Sequence, residues 1–233
     1  MHISVGAAPS IGGTQSERLR RKIELVLPAL VDSSRRLIEH PRIAALYPEY
    51  LFTMHCIIRA SVPLMETARE RAIELPGTDE VARGLASYLQ QHIPEEQDHD
   101  VWLIDDLAAL GQDPVAMLAR PPTPTVAAAV GAQYYWILHY HPVSVLGYIA
   151  LLEGYPPTPD MVEELSRRTG FPQAAFHTLS AHAELDPGHR EEMDAALDEL
   201  PLTPEQTTVL SLSAMSAIQL LARAIDEVTA ARG

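Results

Sequence analysis

Apolar residues recur at three- and four-residue spacing along most of the chain, the period of a helix that buries one face. Between Ser16 and His40 they fall at Leu19, Ile23, Val26, Leu27, Leu30 and Leu37, with Ser16 as N-cap and Pro41 ending the run. The same pattern predicts a helix over about 48–74, halted by Pro76-Gly77, and another over about 78–110, kinked at Pro94 and closed by Gly111. After a proline-rich loop at 119–125 comes a long uncharged helix that bends at Pro142. A short helix starts at Pro159 behind Thr158 and ends near Gly170, and two more span about 172–200 and 203–231. The last opens with Thr203, Pro204, Glu205 and Gln206, a capping-box pattern. Nowhere do β-branched residues alternate between turn signals as in strands. The expectation is an all-α protein, a seven-helix bundle forming a single domain over residues 16–233 behind a flexible tail at 1–15.

Composition narrows the partners. With 47% apolar residues the chain can bury a large core, and a formal net charge of -14 opposes both a phosphate backbone and an anionic membrane surface. No nucleic acid is expected. Cys56 is the sole cysteine, so neither an internal disulfide nor a thiolate zinc site can form, which suits a cytoplasmic setting. The first fifteen residues have neither a basic segment nor an apolar run of signal-peptide length. Val126 to Leu152 carries no Asp, Glu, Lys or Arg, but Gln133, His139, His141, Pro142 and Ser144 interrupt it too often for a lipid-facing span. A helix buried in protein, and no membrane, is the expectation.

Three segments present ligand-type side chains. His182, Asp186 and His189 stand at i, i+4 and i+7, so one helix face carries two imidazoles and a carboxylate within two turns. Glu96 and His99 are three apart, a Glu-x-x-His spacing, with Glu95 and His92 as alternatives in the same polar stretch. Glu153 follows the uncharged run directly, where a buried carboxylate normally persists only with a partner such as a cation. Three carboxylates and three imidazoles are what two adjacent divalent ions need, and the all-oxygen-and-nitrogen set suits iron or manganese. The remaining histidines, His55, His139, His141 and His177, and His92 where it is not that alternative, read as core or surface residues. Pro187 and Gly188 lie between two of the candidate ligands and weaken the helix there, so a second metal ion is expected to bind less tightly than the first.

The segments HIPEEQDHDVWLIDDLAALG at 92–111, YIALLEG at 148–154 and HAELDPGH at 182–189 resemble the heme-oxygenase-like diiron oxidases and oxygenases, the iron-containing redox enzyme family. The resemblance runs from about Thr53 to the C-terminus. It implies a seven-helix heme-oxygenase-like bundle holding two irons, with Glu153 as the bridging carboxylate, His182, Asp186 and His189 as one helix's set, and His99 with Glu96 as the other's. It also implies dioxygen as co-substrate and oxidation of a small molecule resembling an amino acid or a fatty acid, by N-oxygenation, desaturation or oxidative carbon–carbon cleavage. A homodimer is the assembly it implies. Trp102, Tyr134, Tyr135, Trp136 and Tyr148, with Met54, Ile58 and Met65, are the side chains expected to shape a pocket.

Other chemistry on the same fold stays in view: a metal- or partner-binding protein without oxidase activity, a thiaminase-II-like hydrolase using a cysteine such as Cys56, or a metal-independent oxidase like the quinone-cofactor synthases. Apart from the ligands, the sequence singles out no catalytic residue.

Overall fold

The computed structural model describes residues 12–230. The elements are α1 (Gln15–Ile38), α2 (Ile43–Ile58), α3 (Ser61–Glu74), α4 (Glu80–Glu96), α5 (His99–Ala109), α6 (Pro114–Leu118), α7 (Pro124–His139), α8 (Val145–Leu152), α9 (Pro159–Thr169), α10 (His177–Glu199) and α11 (Pro204–Ala230). Two 3-10 turns, Pro142–Ser144 and Gln173–Phe176, lead into α8 and α10. Among the described residues there is no strand, as expected. Residues 1–11 of the anticipated tail lie outside the described part, and α1 begins at Gln15 rather than after Ser16.

Among the described residues the count of seven helices is corrected to nine helices of ten residues or more, and the extra breaks have local causes. The run expected over 48–74 divides at Arg59 and Ala60, because Pro63 lacks an N–H and its ring would meet the Arg59 carbonyl in a continuous helix. The run over 78–110 divides after Glu96, where Asp98 takes a left-handed φ of 67°, a conformation that Asp tolerates better than most residues. Pro94, the expected kink, is accommodated inside α4. At its N-terminus α1 is capped by Thr14, whose hydroxyl accepts from the Glu17 N–H while the Glu17 carboxylate accepts from the Thr14 N–H. Ser16 instead donates through its N–H and hydroxyl to Asp198 of α10, tying the two helices together.

The core is built around α11, which packs along α1 on one side and α7 and α8 on the other. α11 is the one described helix long and apolar enough to cross a membrane, yet 61% of its most apolar window is buried inside the bundle. The uncharged stretch 126–152 is divided into α7 and α8 at Pro142, and all but the last residue of α8 is buried. Gly147 lets α8 approach α11 closely: a Cβ there would collide with the Leu210 carbonyl and the Ala214 amide. The result is a buried short helix that ends, at Glu153, in the middle of the molecule. α1 touches α2 only lightly, and this separation leaves room for a cavity.

Candidate metal centre

Four elements converge beneath that cavity. The end of α4 supplies His92 and Glu96, one turn apart on one face. The start of α5 supplies His99, the end of α8 supplies Glu153, and α10 supplies His182, Asp186 and His189. Glu96 and His99 therefore do not share a helix face, as their spacing suggested. The left-handed turn at Asp98 swings α5 away and still returns the His99 imidazole to 3.3 Å from the Glu96 carboxylate.

Glu96 is the central group. Its Oε2 lies 3.3 Å from His99 Nδ1 and its Oε1 lies 3.4 Å from His189 Nδ1. On one side the His92 and His189 rings meet edge to face with centroids 5.3 Å apart, and His92 Nε2 is 2.8 Å from Glu153 Oε1. On the other side the His99 and His182 rings meet edge to face at 5.1 Å, and His182 Nδ1 is 2.8 Å from Asp186 Oδ1. The layout is two half-sites, each of two imidazoles and one carboxylate, with a third carboxylate between them. One ligand atom each from His92, Glu96 and Glu153 lies within 4.8 Å of the others. Glu96 lies between the two half-sites, while Glu153, to which the resemblance gave the bridging place, pairs with His92.

Surrounding structure holds these groups in place. The Asp106 carboxylate of α5 accepts from the His177 and Thr178 N–H groups, at 3.1 Å each, and so caps α10 five residues before His182. Arg20 of α1 donates to both Asp194 of α10 and the Ala150 carbonyl of α8, at 2.7 Å each, which fixes Glu153 relative to the α10 ligands. Gly154 lies against that guanidinium with no space for a side chain. Trp102 stacks on His99 at 4.0 Å and Tyr88 on His92 at 5.1 Å, limiting ring rotation.

The electrostatics are those of a charged cluster taken out of water. Burial raises the Glu153 carboxyl above the usual carboxylate range, against the opposing pull of His92. Burial acts the same way on Glu96, but His99, His92 and His182 together outweigh it and leave this carboxyl lowered. His92 and His182 experience burial that disfavours the imidazolium, yet Glu153 and Asp186 respectively dominate and raise both imidazoles.

The residues fit a metal pair. Buried side-chain atoms without a hydrogen-bond partner cost stability and are few in folded proteins, yet His92 Nδ1, Glu96 Oε1, His99 Nδ1, Glu153 Oε2, His182 Nε2 and His189 Nδ1 are all of this kind. Every one is a ligand atom, and all belong to the one cluster. Sequence reasoning reached six of the seven residues and set His92 aside as an alternative to Glu96. The signal that includes both was available, since His92 and Glu96 at i and i+4 share the α4 face.

Beside the cluster lies a cavity of about 620 Å³, into which Glu96, Glu153, His182 and Asp186 face. Met54, Ile58, Met65 and Tyr148 line it as anticipated. Tyr135 is exposed, and Cys56 is buried with its thiol pushed up by burial and does not line the cavity.

An all-helical bundle with these elements in this order is the heme-oxygenase-like fold. The chain matches the family model of iron-containing redox enzymes over residues 53–222 and belongs to that family. Solved structures agree on the fold. A domain of unknown function with a heme oxygenase-like fold from Shewanella denitrificans superposes with a TM-score of 0.78 at 20% identity, covering 94% of this chain and 93% of that one. A CADD-like protein of unknown function from Nostoc punctiforme gives 0.68 at 18% identity, covering 93% and 98%. A TenA homologue from Pseudomonas syringae gives 0.68 at 11% identity, covering 95% and 97%. No curated protein matches significantly.

Proposed function

We propose that the protein is a non-haem diiron oxidase or oxygenase that uses dioxygen to oxidise a small molecule held in the cavity beside the cluster. The observation that carries this reading is the convergence of seven buried or half-buried ligand-type residues in two matched half-sites with Glu96 between them, six of which, Glu96 included, hold a buried atom without a hydrogen-bond partner. His92, His189 and Glu153 would hold one iron, His99, His182 and Asp186 the other, and Glu96 would bridge them. The iron pair, when bound and reduced, supplies the electrons for dioxygen reduction and the oxidising power directed at the substrate.

The chain's own residues do the rest. Three carboxylates supply three negative charges against the four of two ferrous ions, so the loaded site keeps a small positive charge that attracts an anionic group or a reduced oxygen species. The Tyr148 hydroxyl, 3.3 Å from both Ser61 Oγ and the Ile57 carbonyl, is held in the cavity wall, and burial keeps its proton on. A substrate seated against the aliphatic walls would displace water from the cluster and so limit wasteful side reactions.

The test is oxygen uptake by protein loaded with ferrous iron under nitrogen, with and without candidate substrates. Uptake dependent on iron and stimulated by a substrate is the expected result. Loaded protein that consumes no oxygen with any substrate would favour a binding role instead. The hydrolase reading lacks a nucleophile, because the Cys56 thiol is buried away from the cavity.

A further inference from the structure

Two aromatic side chains stack on candidate ligands, and Trp102 is the closer: its ring lies 4.0 Å from that of His99, against 5.1 Å for Tyr88 on His92. Trp102 also meets His182 at 6.0 Å and His177 at 5.3 Å, both edge to face. His99 and His182 belong to one half-site, whereas His177 is exposed and Trp102 itself only half-buried. The indole therefore connects that half-site to solvent. The sequence suggested Trp102 as a pocket residue, but it does not line the cavity, so a substrate and the indole approach the cluster by separate routes. Tyr88 is the rival on position alone. Its hydroxyl, however, is buried without a hydrogen-bond partner, and a phenol that loses an electron must also pass on its proton. An indole that reaches water meets no such obstacle.

We propose that Trp102 is the outlet for oxidising power when the cavity holds no substrate: it gives up two electrons, through the stacked His99 ring, and becomes hydroxytryptophan. The inference rests on the diiron reading for the source of the oxidant, and goes beyond it in naming the side chain that is spent. Dioxygen takes four electrons, two from the ferrous ions and two from Trp102, and with four protons leaves as two waters. At the indole a C–H bond breaks and a C–O bond to a solvent water forms, and two protons pass to solvent. The electrons thus come from a replaceable side chain at the edge of the cluster rather than from the imidazoles that hold the metal.

The test uses the full-length protein, loaded with ferrous iron under nitrogen and then mixed with oxygen in isotopically labelled water, without substrate. Catalase removes any hydrogen peroxide released, and peptide mass spectrometry locates the product. Oxygen uptake with one labelled oxygen gained at Trp102, and none at Trp136, the other tryptophan, is the expected result. Trp102→Phe keeps a ring against His99; with folding checked by circular dichroism, it should lose this product and show more oxidation at His99 and His182. The native protein is read directly, so the outcome does not hang on the variant. Oxygen uptake that leaves Trp102 unmodified, or that oxidises only the cavity methionines Met54 and Met65, would overturn the inference and leave the diiron reading standing. An oxygen atom drawn from dioxygen rather than water would show direct attack instead of electron transfer, and the same product in an iron-free sample would show that the cluster is not the oxidant; either overturns it. No oxygen uptake at all would overturn both.

Discussion

In the proposed diiron site Glu96 would be the bridging ligand, since one of its carboxylate oxygens faces His99 and the other His189. Removing it would take a ligand from each half-site and a negative charge from between two cations. Glu96→Ala should therefore lose most of both irons, whereas Glu153→Ala or Asp186→Ala should keep about one per chain; equal losses in all three would argue against Glu96 as the bridge. A pH dependence follows from the same residues. His92 and His182 are raised by their carboxylate partners and Glu153 by burial, so all three hold protons to higher pH than the free side chains. Iron must displace those protons, so its affinity should climb with pH through and above the ordinary imidazole value of about 6.5. Competition with a chelator of known affinity between about pH 6 and 8 measures this, and affinity falling with rising pH is the contrary result. Among the six candidate ligand residues read from the sequence, His182, Asp186 and His189 were legible because helical spacing turns directly into a shared face. His92 was less so: choosing one residue from the first segment presumed a single carboxylate–imidazole pair there, and only the turn at Asp98 makes room for both His92 and His99.

At the level of elements, the site depends on where α8 stops and on how α10 is held. Arg20 bonds both helices, and a buried guanidinium paired with Asp194 is costly to remove because its partners remain behind. With Asp194 partly exposed, Arg20→Ala should cost about 2 to 3 kcal/mol, read from chemical denaturation. It should also weaken iron binding by displacing Glu153. Asp106→Ala removes both acceptors at the start of α10 and should cost about 2 kcal/mol; a change under about 0.5 kcal/mol would show that α10 is fixed by packing alone. α10 runs unbroken through Pro187, as its hydrophobic and ligand spacing required, although the proline removes one backbone bond. Coordination by Asp186 and His189 would clamp this weak turn from both sides, so hydrogen exchange across residues 180–192 should slow when iron binds. Unchanged exchange in protein that has taken up its iron would mean that packing against the neighbouring helices already suffices. Pro63 was a sequence signal for the break at Ala60 that the apolar periodicity over 48–74 masked, whereas the left-handed turn at Asp98 falls in a polar stretch with no glycine to mark it.

Across the whole molecule, the all-α architecture and the buried position of the uncharged stretch follow from periodicity and composition. The cavity does not. Its lining comes from α1, α2, α8, α9 and α11 together, and how these pack is a tertiary matter that no local pattern encodes. The apolar shell and the convergence of four elements on Glu96 suit the proposed diiron site, because a metal pair held there would be shielded by hydrocarbon and reachable by a substrate through the cavity. The claim on which this account stands is that one chain holds two irons as a coupled pair. Titration of metal-free protein with ferrous iron under nitrogen, followed by Mössbauer spectroscopy of the oxidised sample, tests it most directly. The account predicts two irons per chain, antiferromagnetically coupled through the shared carboxylate, with the coupling lost in Glu96→Ala. A single iron per chain, or two that are magnetically independent, would contradict it.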